Sequence, residues 1–338
     1  MTAIESDIVT DFKSYLSNRE QKTEHVAFQF GEAKFSSTGF DGKTDSLLIG
    51  EDNLPMTSGA FRQLSEVLNV PVPYAQRIPD DLLDHTVNYF LDSRKDNYYA
   101  ALVEDNVIRS FMPTTNPYVS SLEFFSAIED AFDGDYDLKY VKINPIDTSF
   151  SILPHQYRES IDGSNLFGGI KVKFSDSWNI FPTLDSYIWR ELCSNGMIDT
   201  LKSRKFRIKN SSSAEVLSQV REFAQLSIDA LPALFDQYNS LLAESINDYV
   251  RVVTRLCLEH KLANKVKDRV LFWATQDNFL DTISDRKIKN MHDIVNLFTF
   301  VGSHDLELTD DIRESLLAIG GHITMAHNDR CDSCGTSL

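Results

Sequence analysis

The spacing of apolar residues changes period several times along this chain. Ile4, Ile8, Phe12 and Leu16 recur at helical intervals and predict an opening helix over 2–18. From His25 to Gly50 the period drops to two. Val26, Phe28 and Phe30 alternate, and Gly31, Gly39, Gly42 and Gly50 punctuate, which predicts two or three short strands in hairpins. Helical spacing returns over 57–92. Thr57 or Ser58 caps a stripe of Phe61, Leu64, Val67 and Leu68, Val70-Pro71-Val72-Pro73 breaks it, and Pro79 opens a second helix. Residues 98–103 and 106–112 read as a hairpin turning at Glu104-Asp105-Asn106. An amphipathic helix over 121–132 precedes strands at 136–143, 149–153, 169–174 and 178–181, with the polar 158–165 segment as a loop. The run 187–198 is apolar until Ser194-Asn195-Gly196, a strong turn signal.

Beyond Ser211 the period is helical. Val216, Val220 and Phe223 begin a stripe, Pro232 interrupts it, and Leu242, Ile246, Tyr249, Val253 and Leu256 resume it. Further helices are expected over 266–276, 289–301 and 309–319, the last ending at Gly320-Gly321. These patterns predict an α+β fold: a mixed N-terminal region with largely antiparallel strands, then a helical C-terminal region. The expected organisation is an α+β domain over 1–200, a helical region packed on it over 201–321, and a tail over 322–338.

Charge sharpens the picture. The 338 residues carry 33 Lys and Arg against 50 Asp and Glu, a net −17. Such a surface disfavours nonspecific attraction to nucleic acid or to an anionic membrane, and it suits a highly soluble protein. No apolar run approaches the roughly 20 residues of a membrane span, so no membrane partner is expected. The N-terminus lacks the basic-then-apolar layout of a signal peptide. The cysteines do not form a disulfide framework, which fits a reducing cytoplasm, the host's if the chain is viral.

Against that acidic background, Lys202-Ser203-Arg204-Lys205-Phe206-Arg207-Ile208-Lys209 carries five basic residues in eight. Cations for phosphates with an aromatic ring for a base are the minimal requirement for single-strand binding. The alternative is a solvated segment paired with acidic neighbours. Arg109 and Arg190 sit within apolar runs, where an arginine is either a buried ion-pair partner or a phosphate ligand. Cys193 on its turn has no histidine within 30 residues to act as a base, and it reads either as a thiol nucleophile or as a small buried residue. In the tail, His322, His327, Cys331 and Cys334 offer four ligands suited to a structural zinc ion; the alternative is a tail with exposed thiols. No Gly-rich phosphate loop and no complete catalytic constellation is present.

Several segments, read in order, carry a resemblance. They include Leu54-Pro55-Met56-Thr57 with Val70-Pro71 and Tyr74, Val107-Ile108-Arg109-Ser110-Phe111 before Tyr118, and Gly169-Ile170 with Arg190 and Cys193-Ser194-Asn195-Gly196-Met197. Asn296-Leu297-Phe298-Thr299 with His304 and Gly320-Gly321 complete the series. Together, over about residues 45–321, they resemble the phage- and plasmid-associated family known as domain of unknown function 932. The chain departs from the family pattern at Thr114-Thr115-Asn116-Pro117-Tyr118, and at Phe300, where a histidine is common. The resemblance implies a gene carried by phages or plasmids beside replication and recombination genes. The leading expectation is therefore a non-enzymatic protein that binds or anneals single-stranded DNA. In it Lys202, Arg204, Lys205, Arg207 and Lys209, with Arg109 and Arg190, contact phosphates while Phe206 stacks. The alternatives are an acidic protein-binding factor acting on a host enzyme, as a counter-defence or nucleic-acid mimic, and a virion structural protein; the partner is then a host or phage protein. Self-association and a metal-dependent nuclease stay open.

Overall fold

The computed structural model of the chain describes residues 5–37, 45–132, 135–144, 146–161, 164–178, 180–190, 195–199, 206, 208, 210–283 and 286–326. The chain opens with α1 (Glu5–Lys22), then β1 (Thr23–Gln29), β2 (Ala33–Ser36), β3 (Ser46–Ile49) and β4 (Asp52–Pro55). The helices α2 (Ser58–Leu68), α3 (Val72–Ala75) and α4 (Asp80–Ser93) follow, and the hairpin of β5 (Tyr98–Glu104) and β6 (Val107–Pro113) closes this part. The expected hairpins form only in part: β2, β3 and β4 make one antiparallel sheet, whereas β1 leaves its neighbours and pairs along β5. The turn at Asp105 and Asn106 has both residues at positive φ, 50° and 64°, the twist that a tight hairpin favours. The Thr57 hydroxyl accepts from the Ala60 amide and caps α2. The prolines of the expected break instead start α3, since a first turn has no intrahelical use for their missing N–H. Phe28, Phe30, Phe35, Leu47, Leu64 and Phe111 sit at the heart of this body.

The second body is built on a six-stranded antiparallel sheet. After α5 (Ser121–Glu129), which Ser120 and Glu123 close with a capping box, come β7 (Tyr136–Ile143), β8 (Thr148–Pro154), β9 (Arg158–Ile161), β10 (Ser164–Phe174), β11 (Thr183–Arg190) and β12 (Asn195–Asp199). The strand order is β12-β11-β10-β8-β7, with β9 paired to β10. Residues 158–161 are thus a strand and not the expected loop, because Arg158 pairs with Phe167 across a hairpin. Of the strand expected at 178–181, the described residues 178, 180 and 181 form none: Trp178 has φ of 59°, and its indole N–H donates to the Pro117 carbonyl. Asn195 faces Arg190 in the ladder, so Asn195-Gly196 opens β12 in place of forming the turn.

Helices α6 (Ser213–Asp229), α7 (Leu231–Ser240), α8 (Tyr249–Glu259), α9 (Asn264–Trp273), α10 (Asp277–Leu280), α11 (Met291–His304) and α12 (Asp310–Ala326) complete the chain. The fold is α+β with a helical C-terminal region. α12 runs through Gly320-Gly321, where an end was expected. One face of the large sheet presents Leu138, Phe150, Ile152, Ile170, Val172, Phe174 and Ile188 to a core that also takes in Phe12 of α1, Val220 of α6 and Ile323 of α12. Sheet and helices on either side of residue 200 therefore share one core. The break between the two main apolar clusters falls instead between Phe111 and Val119. Among the described residues no helix is long and apolar enough to cross a membrane.

A clamp ties α9 to the end of α11. The buried Asp305 carboxylate accepts from Arg269 Nε and Nη2 at 2.7 Å each and from Trp273 Nε1 at 2.9 Å. These hydrogen bonds, led by those from Arg269, hold its carboxyl below the ordinary carboxylate range against the opposing effect of burial. A depressed folded pKa adds stability above the ordinary value and loses it as the pH falls through the folded one. Asp305→Asn is thus expected to lower the urea midpoint at pH 7, with the gap narrowing below about pH 4. A gap constant down to about pH 3 would show that charge is not what holds the clamp.

Candidate functional site

The two arginines singled out from the sequence are interior. Arg109 on β6 is 2% exposed and forms a fork-to-fork pair with Asp176, Nη1 to Oδ1 at 2.9 Å and Nη2 to Oδ2 at 2.6 Å. Glu104 lies 3.3 Å from its Nε and also accepts from Arg19 Nε at 3.2 Å. Burial alone would depress the guanidinium, but Asp176, followed by Tyr118 and Glu104, outweighs it and holds it above its ordinary value. Burial, with Asp176 beside it, raises the Tyr118 phenol, and burial lowers the His25 imidazole whose ring packs 3.8 Å from that of Tyr118. This is a latch between the two bodies, and Arg109 within it is committed to a carboxylate. Arg190, 4% exposed, donates from Nη2 to the Thr282 carbonyl at 3.1 Å and anchors β11 to the helices. Neither guanidinium is offered to a phosphate at the surface.

Lys202, Arg204, Lys205, Arg207 and Lys209 lie outside the described residues, as does Cys193. Phe206 and Ile208, described between them, are buried. The Phe206 ring meets Phe223 of α6 edge-on at 4.8 Å, so it has been taken into the core and has no open face for a base. His327, Cys331 and Cys334 also lie outside the described residues. His322 belongs to α12 and not to a tail, and its ring packs edge-on at 4.9 Å against His260, the residue that caps the C-terminus of α8. Among the described residues no group of three or more His, Cys, Asp or Glu is placed to hold a metal. Cys257 on α8 is a buried thiol that burial pushes up to about 11, which keeps it protonated at neutral pH.

The second face of the large sheet differs from everything around it. Strand register places Lys139 opposite Ser151, Lys171 beside Ser151, Lys173 beside Ser149, and Lys142 opposite Ser149. Directly paired residues share a face, so these lysines stand together across β7, β8 and β10. The same face carries Arg158, Phe167 and Trp189 in one cross-strand row. The Arg158 guanidinium lies 4.8 Å from the centre of the Phe167 ring, and Lys139 Nζ lies 5.7 Å from that of Trp189. Between Lys139 and Lys142 the register slips at a bulge where Tyr140 takes φ of 53°. That bulge turns Tyr140 out to 53% exposure, and the Trp189 indole N–H donates to its hydroxyl at 3.0 Å. Among the described residues the face also carries acid: Asp185 stands directly opposite Lys171, Asp137 pairs with His155, and Glu314 of α12 pairs with Lys171 at 3.4 Å.

Five cations and an exposed aromatic on one sheet face, in a chain of net −17, can neutralise phosphates and stack a base. None of these residues stands out along the chain. Each lysine is isolated between apolar neighbours, and only the pairing of distant strands assembles them. The available signal was the alternation Lys171-Val172-Lys173-Phe174, which marks a basic outer face on a strand whose inner face is core. Comparison with protein-family models, curated proteins and solved structures finds no match.

Proposed function

We propose that the chain binds single-stranded nucleic acid without cutting it, along the outer face of the six-stranded sheet. The observation that carries this reading is the local reversal of charge. Lys139, Lys142, Arg158, Lys171 and Lys173 share that face with Tyr140 and Trp189. Phosphates meet the ammonium and guanidinium groups, and Tyr140 offers a ring to a base. An aromatic accepts any base, so modest sequence preference and strong salt dependence follow. The basic 202–209 segment adds to the same reading, and the family resemblance suggests a place in phage or plasmid replication or recombination.

The test is titration of a labelled single-stranded oligonucleotide at low and physiological salt. An Arg158→Gln/Lys139→Gln/Lys173→Gln variant is expected to bind about ten-fold or more weakly at low salt. Its log–log salt slope should be shallower by about 2, since each lost phosphate contact removes about 0.7 for a single strand. A second variant, with the basic residues of 202–209 changed to Gln, separates the contribution of that segment. Absence of binding by the parent at low salt, or binding that neither variant weakens, would overturn the proposal.

A further inference from the structure

Beside that face lies a cleft of about 350 Å³, walled on one side by β7, β8 and β10 and on the other by the end of α11 and the start of α12. Lys142, Lys171, Arg313 and His304 line it, with Tyr140 at its edge. The C-terminal carbonyls of a helix ordinarily repel an anion. Here the Gly302 and Ser303 carbonyls instead accept from Arg313 Nε and Nη2, both at 2.9 Å, which places a guanidinium over that end of α11. The close approach of the two helices depends on Gly302, where a Cβ would come within 2.9 Å of the Arg313 carbonyl. Ser151 supplies a second and independent pointer. It also lines the cleft, is 1% exposed, and its hydroxyl has no hydrogen-bond partner among the described residues. A buried hydroxyl left without a partner costs free energy, and a ligand oxygen would supply one.

We propose that this cleft receives a phosphate monoester: the terminal phosphate of a nucleic-acid strand, or that of a free nucleotide. A monoester carries about −1.5 to −2 charge and three acceptor oxygens, enough to engage two or three cations and the Ser151 hydroxyl together. A diester within a strand carries a single charge and must leave in two directions, and the α11–α12 wall closes one of them. Glu314, paired with Lys171, competes with the incoming anion. The inference draws its polymeric ligand from the nucleic-acid reading above, but its chemistry stands on the cleft.

The experiment uses the full chain and an internally labelled oligonucleotide of about 12 nucleotides, within the usual single-strand site size. The oligonucleotide bears a 5′-phosphate, a 3′-phosphate or neither, and nucleoside monophosphate and inorganic phosphate serve as competitors. One terminal phosphate is expected to tighten binding about ten-fold, the scale of a charge-assisted hydrogen bond. Lys142→Gln, on an exposed side chain, should abolish that advantage, and Glu314→Gln should increase it. Monophosphate binding that Lys142→Gln weakens, in a protein that binds no strand, would support the cleft with a free nucleotide as its ligand while the strand-binding proposal fails. Equal affinity for all three oligonucleotides, with no competition by monophosphate, would overturn the inference and leave strand binding standing.

Discussion

Gly169→Ala is expected to yield little or no soluble protein, or a protein whose midpoint of thermal unfolding falls by about 4 °C or more. A Cβ at this position would come within 2.0 Å of the Ile152 carbonyl oxygen and 2.9 Å of its carbon. Both are backbone atoms of β8, the strand hydrogen-bonded to β10, and no side-chain rotation relieves such a contact. The strands would have to part, breaking a ladder that runs from Ile170 opposite Ile152 to Phe174 opposite Thr148. That ladder lies in the middle of the sheet on which both the core and the candidate interface are built, so the loss should exceed about 3 kcal/mol, the upper range for overpacking. Gly50→Ala is the informative control. Gly50 has φ of +63° with no atom near its missing side chain, so alanine there costs only about 1–2 kcal/mol of backbone strain. A Gly169→Ala midpoint within about 2 °C of the parent would show that the strands tolerate the separation.

The second large effect concerns the latch between the bodies. Arg109→Met should destabilise the protein by about 3–5 kcal/mol, because it leaves the Asp176 carboxylate in the interior without its counter-ion. Asp176 is 5% exposed, and its two oxygens accept both arms of the Arg109 fork. Asp176→Leu should be comparably damaging, since it removes the carboxylate that both arms of the buried guanidinium engage. The double variant Arg109→Met/Asp176→Leu removes both charges and should recover more than half of the loss, a coupling that urea unfolding of the four proteins measures directly. A double variant at least as unstable as the sum of the singles would point to packing, and not charge, as the reason the pair is kept.

These residues also show how far the sequence could be read. Local signals carried well where the physics is local. Thr57 caps α2 as its spacing implied, the Asp105-Asn106 turn closes its hairpin, and the shift to helical periodicity after Ser211 is where the helices begin. What depended on partners remote in sequence was illegible. Nothing near Arg109 announces Asp176, 67 positions away, and nothing near β1 announces that it leaves its neighbours for β5. The candidate interface was hidden for the same reason. The contiguous basic run at 202–209 is conspicuous in one dimension, whereas Lys139, Arg158 and Lys173 gather only when the strands pair. Phe206 shows the converse: its cationic neighbours suggested a stacking ring, but helix α6 supplies an apolar partner and the ring is buried.

The placement of α1 bears on how the protein reaches this state during synthesis. α1 is made before its partners: Phe12 packs edge-on against Phe125 at 5.2 Å and tilted against Phe150 at 5.5 Å, residues made more than 100 positions later. At about 5–20 residues per second its apolar stripe waits on the order of 10 s for those partners. The helix is thus made well before the residues that bury it. During that interval Phe12 and Leu16 are open to chaperones and to other nascent chains, and slow translation before residue 125 lengthens the exposure.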